Sequence, residues 1–169
     1  MIQRRIAPLV LAVLVFALGG CGFHLRKEVA LPASMQRLHI AIADPNGQLA
    51  RDLARALPRS GVQLVPAPGA DVAELRIGAN AFSTDVLSVS GAARANEYSL
   101  RYHVEFEVAD GAGKVLLPKQ TIELTREFTF DASQALGVTA ETDMLTKELQ
   151  RDMVQTILRR LEAAAHAAD

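Results

Sequence analysis

Cys21 is the one cysteine in 169 residues. A thiol serves as a nucleophile, a metal ligand, half of a disulfide or an attachment point for lipid, and each use demands different company. A disulfide within the chain is excluded, so the fold must rest on packing. A catalytic or metal-bound thiol would need imidazoles or carboxylates at set spacings. His24, His39, His103 and His166 are scattered, none paired at ligand spacing. Each reads as a surface or strand-edge residue, and no metal or cofactor is expected. Glu105 and Glu107 fall on one face of an alternating segment. That would suit a general acid and base, but a solvated strand face explains them more simply. The sequence has no glycine-rich phosphate loop and no nucleophile elbow. Nothing in these residues points to an enzyme.

What precedes Cys21 gives the thiol its use. Arg4 and Arg5 form a basic head, and the 13 residues from Ile6 to Leu18 are apolar apart from Pro8. A transmembrane helix needs about 20. Gly19 and Gly20 follow at once, which completes the pattern of a secretory signal peptide. Arg4-Arg5 also admits a twin-arginine signal, though the rest of that pattern is missing. Leu18-Gly19-Gly20-Cys21 resembles the lipobox of bacterial lipoproteins: an aliphatic residue, two small ones, then the cysteine. The resemblance implies that the thiol becomes a thioether to diacylglycerol and that the new amino group is acylated. One acyl chain holds a membrane only marginally and two or more hold it firmly, at about 0.8 kcal/mol per buried CH₂. An ordinary signal peptide with a nearby cysteine is the alternative. Gly22, not Asp, follows the cysteine. By the sorting rule of Gram-negative lipoproteins, that favours the outer membrane, with the domain on its periplasmic side.

Without residues 1–20 the chain has 149 residues, a single-domain length. Losing Arg4 and Arg5 leaves 16 basic residues against 19 acidic ones, a charge near −3. That balance does not suit a nucleic-acid binder. No second long apolar segment exists, so lipid alone would anchor the chain. The expected divisions are a signal peptide over 1–20, a lipidated N-terminus and tether over 21–35, a folded domain over 36–162 and a C-terminal tail over 163–169.

The elements of that domain follow from periodicity. Leu38, Ile40 and Ile42 alternate with His39 and Ala41, predicting a strand. "DPNG" at 44–47 is a turn. Leu49, Leu53 and Leu57 then repeat every four residues, an amphipathic helix stopped by Pro58 and Ser60-Gly61. Val62 to Val65 is a short strand. Leu75, Ile77, Ala79 and Ala81 alternate, and Val86 to Val89 continue that strand after a bend. Ser90 to Asn96 is a loop. From Tyr98 to Val108 every even residue is apolar, and Glu97 to Glu107 supply a polar odd face. Such alternation means one face buried and one wet. "DGAGK" at 110–114 is a hairpin turn. The returning strand places Ile122, Leu124, Phe128 and Phe130 on one face, and Thr121, Glu123, Thr125, Glu127 and Thr129 on the other. Asp131 and Gln134 fit a helix cap, and Gly137 interrupts. From Glu141 a stripe of Leu145, Leu149, Met153, Ile157 and Leu161 marks a long amphipathic helix, and the Ala-rich end reads as a fraying tail. The order β-α-β-β-β-β-α predicts an α+β fold: a two-layer sandwich of a mixed or antiparallel sheet with two amphipathic helices packed on it. Leu100, Val104 and Phe106 should lie beneath both helix stripes.

Several stretches, in order, resemble the LptE family of lipopolysaccharide-assembly lipoproteins. They are "CGFHLR" after the lipobox, "DPNG", "GVQLV" at 61–65, "LRIG" at 75–78, "EYSLRYHVEFEV" at 97–108, "TREFTFD" at 125–131 and "DMLTKEL" at 143–149. No single motif is catalytic; the ordered series covers nearly the whole segment after the lipobox. The resemblance implies a sheet carrying two helices and a non-enzymatic role. It implies a plug in the lumen of the large outer-membrane β-barrel LptD, assisting that barrel's assembly and the delivery of lipopolysaccharide to the outer leaflet. It further implies lipopolysaccharide contact through basic residues near the loop before "EY". Arg94 stands there, with Arg101, Lys119 and Arg126 on nearby strands or loops; solvated surface arginines are the alternative. The competing function is a free-standing periplasmic-facing lipoprotein that binds a lipid or peptide between sheet and helices. A carrier needs an apolar cavity, whereas a plug needs polar surfaces.

Overall fold

The computed structural model describes residues 31–89, 95–129 and 135–167. Their order is β1 (Arg37–Ile42), α1 (Gln48–Ala56), β2 (Gln63–Leu64), β3 (Ala73–Val89), β4 (Ala95–Ala109), β5 (Val115–Thr129) and α2 (Ala135–Ala167). The strands form one sheet in the order β2-β1-β3-β4-β5. β1 runs parallel to both β2 and β3, while β3, β4 and β5 are antiparallel neighbours. The sheet is therefore mixed, and the α+β sandwich expected from the pattern is present. α2 packs on β4 and β5, and α1 lies beside it against β1. Both helices cover one face of the sheet.

Turn chemistry fixes the local connections. Asp44 accepts the Asn46 amide through Oδ1 at 3.1 Å and the Gly47 amide through its carbonyl at 3.1 Å, which turns the chain into α1. The Asp110 carboxylate accepts from the amides of Ala112 (2.9 Å) and Lys114 (2.8 Å), closing the β4–β5 hairpin. Gly113 there has φ of 87°, a left-handed value that suits glycine. Gly111 is required for a different reason: a Cβ would collide with the carbonyl oxygens of Gly69 and Ala70.

Strand β4 behaves as its alternation demands. Leu100, Tyr102, Val104, Phe106 and Val108 are all buried, and they share a core with Leu49, Leu53 and Leu57 of the α1 region and with Leu149, Met153, Ile157 and Leu161 of α2. Leu145 packs at the margin of that core.

Four differences from the pattern have physical causes. First, β3 is one continuous strand with a register shift between Ile77 and Ala79. A bulge of one residue moves the side chains after it to the opposite face, here as far as the next irregularity between Val86 and Ser88. Leu75 and Ile77 are buried, whereas Ala79 and Ala81 sit opposite Glu105 and His103 on the wet side. Asn80 and Phe82 turn to the helix side instead: Asn80 Oδ1 accepts the Tyr102 hydroxyl at 2.7 Å, and the Phe82 ring stacks on Tyr102 at 4.0 Å. Second, Leu31 and Met35 are each 3% exposed and belong to the core. The end of the segment read as a tether is thus docked, through a 3₁₀ turn at Ala33–Met35. Third, α2 passes through Gly137 without interruption; one glycine costs only about 1 kcal/mol in a long helix. Fourth, α2 continues to Ala167, and Ala165 is buried. Core contact and the high helix propensity of alanine hold residues that local sequence reads as fraying. Phe130, Asp131 and Gln134 lie outside the described residues.

Candidate functional site

The face of the sheet away from the helices is open. It is built from the odd-numbered residues of β4, which the strict period-two pattern sends away from the core. Their neighbours on β3 and β5 turn the face into a lattice of ion pairs. Arg101 reaches Asp85 at 3.1 Å and Glu123 at 3.6 Å. His103 lies between Glu105 (3.6 Å) and Glu123 (3.8 Å), both of which it can pair when protonated. Glu105 also takes Lys119 at 2.5 Å. Toward the other end, Arg76 bridges Glu74 (2.5 Å) and Glu107 (3.5 Å). The hydrogen bond from Lys119, then its charge and that of His103, hold the Glu105 carboxyl below the usual carboxylate range. Glu105 and Glu107, considered above as an acid–base pair, are thus each committed to a cation. Burial pushes the hydroxyl of Tyr102, on the helix side, well above its ordinary value; it acts as a hydrogen-bond donor to Asn80.

The four basic residues singled out for anion contact do not form one cluster among the described residues. Arg101 and Lys119 share the open face, where carboxylates already occupy them. Arg126 lies on the helix side, donating to Asp152 of α2 at 2.6 Å and pairing with Glu148 at 3.7 Å. It fastens β5 to α2, as does Arg160, which donates to Gln120 at 2.6 Å. Arg94 and the lipidation candidate Cys21 lie outside the described residues.

The second polar surface was not marked by the sequence. An open groove of about 750 Å³ runs between α1 and the N-terminal half of α2, with Asp52 and Arg55 on one wall and Asp143, Met144, Lys147 and Arg151 on the other. The only local signal was the spacing Asp143-Lys147-Arg151, which puts three charges on one side of a helix. A smaller depression of about 240 Å³ lies on the open face beside Arg76, Glu105 and Lys119. Both concavities are at the surface and carry charged walls. Between sheet and helices, where a carrier would need its cavity, buried side chains from Leu38 to Leu161 pack into one continuous core. Among the described residues, no group of three His, Cys, Asp or Glu side chains is arranged to hold a metal ion, and no helix is long and apolar enough to cross a membrane.

Comparison with known proteins agrees with this architecture. The family model described as LptE, lipopolysaccharide-assembly, matches residues 35–161. The chain is 30% identical to a protein of Photorhabdus laumondii named LPS-assembly lipoprotein LptE, over 94% of this chain and 86% of that one. It is 32% identical to the protein of the same name from Yersinia pestis, over 99% of this chain and 80% of that one. Among solved structures, the solution structure of an uncharacterized lipoprotein B from Nitrosomonas europaea superimposes with a TM-score of 0.71 at 33% identity, covering 84% of this chain and 91% of that one. The crystal structure of the rare lipoprotein B from Shewanella oneidensis gives 0.66 at 28% identity, covering 75% and 94%.

Proposed function

The chain belongs to the LptE lipopolysaccharide-assembly family, and from that membership we propose that it is an outer-membrane lipoprotein that plugs the LptD β-barrel and assists its assembly. Membership carries the coarser role in the plain sense: the protein acts in lipopolysaccharide transport and outer-membrane assembly. The finer reading rests on the open sheet face. Wide outer-membrane barrels have polar interiors. A plug must meet that wall while remaining soluble before it does so. A face of long strands whose cations are each paired with carboxylates meets both needs, because it offers hydrogen-bonding groups without a large apolar patch.

The anchor belongs to the same proposal. Acylation at Cys21 places the chain on the periplasmic side of the outer membrane. The nine residues from Gly22 to Ala30 span at most about 30 Å when extended. The domain that starts at Leu31 is then held within reach of a barrel mouth. Direct lipopolysaccharide contact through Arg94, Arg101, Lys119 and Arg126 is a further part. Arg101, Lys119 and Arg126 would each have to exchange a carboxylate for a phosphate; the two guanidinium groups can pair with either bidentately, and the Lys119 ammonium with either as a point charge.

The deciding experiment is affinity purification of the tagged lipoprotein from detergent-solubilised outer membranes. LptD should copurify, and depletion of the lipoprotein should lower assembled barrel and surface lipopolysaccharide together. An intact lipoprotein that brings down no barrel would refute the plug role. Mass spectrometry should find an acylated cysteine at the mature N-terminus; an unmodified thiol refutes the anchor. Equal lipopolysaccharide binding by wild type, Arg94→Glu and Arg126→Glu would remove the anion contact and leave the plug standing.

A further inference from the structure

On α2 the charges are sorted by side. Glu148 and Asp152 turn toward the sheet, where Arg126 takes both. Lys147 and Arg151 turn into the groove opposite α1, and Asp143 lines the same wall. None of these three makes an ion pair or hydrogen bond among the described residues. Two like charges four residues apart on a helix repel one another, a small cost to the free domain. Beside them Met144 is 60% exposed. Unpaired charges of both signs around an exposed apolar side chain form a surface that is unfinished in the isolated chain.

We propose that the groove between α1 and α2 is the seat of a polypeptide segment from the wall of the barrel partner, with a carboxylate of that segment between Lys147 and Arg151 and an apolar side chain on Met144. The proposal rests on the plug reading above and adds the place and chemistry of the contact. The groove's own charges select the occupant. Arg55 already neutralises Asp52 on the facing wall, so the charges left unpaired are Asp143, Lys147 and Arg151, and a lipid headgroup with several phosphates would set its further charges beside the Asp143 carboxylate. A polypeptide can place one acid beside the cations and neutral or basic groups elsewhere. The groove, of about 750 Å³, is open to solvent. The sheet face differs: its cations already have partners, so it adds shape and hydration compatibility but little charge selection.

The test uses the full-length lipoprotein coexpressed with LptD and purified as a complex in detergent. The double variant Lys147→Glu/Arg151→Glu is compared with wild type and with Arg159→Glu, an exposed cation on the same helix that donates to Thr156. The double variant should recover roughly tenfold less barrel at moderate salt, and Arg159→Glu should recover as much as wild type. Circular dichroism and melting of each free lipoprotein confirm that the variants are folded. A photo-reactive residue replacing Met144 reads the same contact without changing charge, and should cross-link to the barrel. Wild-type recovery by the double variant, with no barrel adduct from position 144, overturns the proposal while the copurification itself upholds the plug. Loss of binding to purified lipopolysaccharide by the double variant overturns it in favour of a lipid-anion site. If wild type brings down no barrel, the plug reading fails first and takes this one with it.

Discussion

The open sheet face and the groove between the helices are both wet and both rich in charge, yet they are built on opposite rules. On the sheet, every cation of the lattice has a carboxylate within 4 Å: Arg76, Arg101 and Lys119. In the groove, Lys147 and Arg151 have none among the described residues. The difference follows from geometry. Antiparallel strands place residues of separate strands directly opposite, so a basic residue on one finds an acid on the next. A helix can offer partners only three or four residues away: Glu148, three before Arg151, is drawn to Arg126, and Asp143, four before Lys147, makes no ion pair among the described residues. A self-paired surface is stable in isolation and tolerant of many contacts. An unpaired one is selective.

The largest expected effect lies beneath the first surface. Phe106, 1% exposed, supports the open face from the core side, and Phe106→Ala should cost about 3–5 kcal/mol in denaturant unfolding. Met144→Ala in the groove should stay within about 0.5 kcal/mol. A cost below about 1 kcal/mol for Phe106→Ala would mean that the register of β4 is misassigned.

Arg126 comes next, because it joins the two layers. Half-buried and hydrogen-bonded to Asp152, it should contribute about 1 kcal/mol, and a double-mutant cycle of Arg126→Ala with Asp152→Ala should recover most of that as coupling. Additive losses would show that the pair does not act as a clamp.

The comparison itself is tested by the size of two small effects. Arg101→Ala removes two ion pairs and should destabilise by up to about 0.5 kcal/mol, less in high salt. Lys147→Ala relieves repulsion from Arg151 and loses the equally small i,i+4 attraction of Asp143, so it should be neutral within about 0.2 kcal/mol. Equal losses at both sites would erase the distinction between the surfaces.

The smallest effect is a titration. Glu105 has a depressed pKa in the folded chain, first through the hydrogen bond from Lys119. Its contribution to stability is therefore present above the unfolded carboxylate value and is lost as pH falls through the lower folded value. Carbon-detected NMR should find the Glu105 carboxyl titrating below the usual carboxylate range, and Lys119→Ala should move it upward. No movement would separate the shift from Lys119.

How much of this was legible depended on whether the cause was local. The β4 alternation from Tyr98 to Val108 and the wet face of β5 survive intact, because period two is a property of the strand itself. The α2 stripe from Leu145 to Leu161 survives for the same reason at period 3.6. The misreadings have non-local causes. Ala79 and Ala81 changed faces because one bulged residue in β3 is accommodated only against β4. Leu31 and Met35 entered the core because a surface was there to receive them. The candidate cations divide similarly: their types were visible, but not that Arg101 and Lys119 meet acids across strands while Arg126 meets α2.

By itself, then, the sequence determined the kinds and order of the elements and the buried faces of β4, β5 and α2, since each is set by neighbours a few residues away. The tertiary structure alone decided that β1 lies between β2 and β3, how far α2 extends, and which charges are satisfied and which are left for a partner. Those outcomes depend on pairing between residues distant in the chain. A side chain's chemistry fixes what it can bond to, but only the packing of strand on strand and helix on sheet fixes what comes within 4 Å of it.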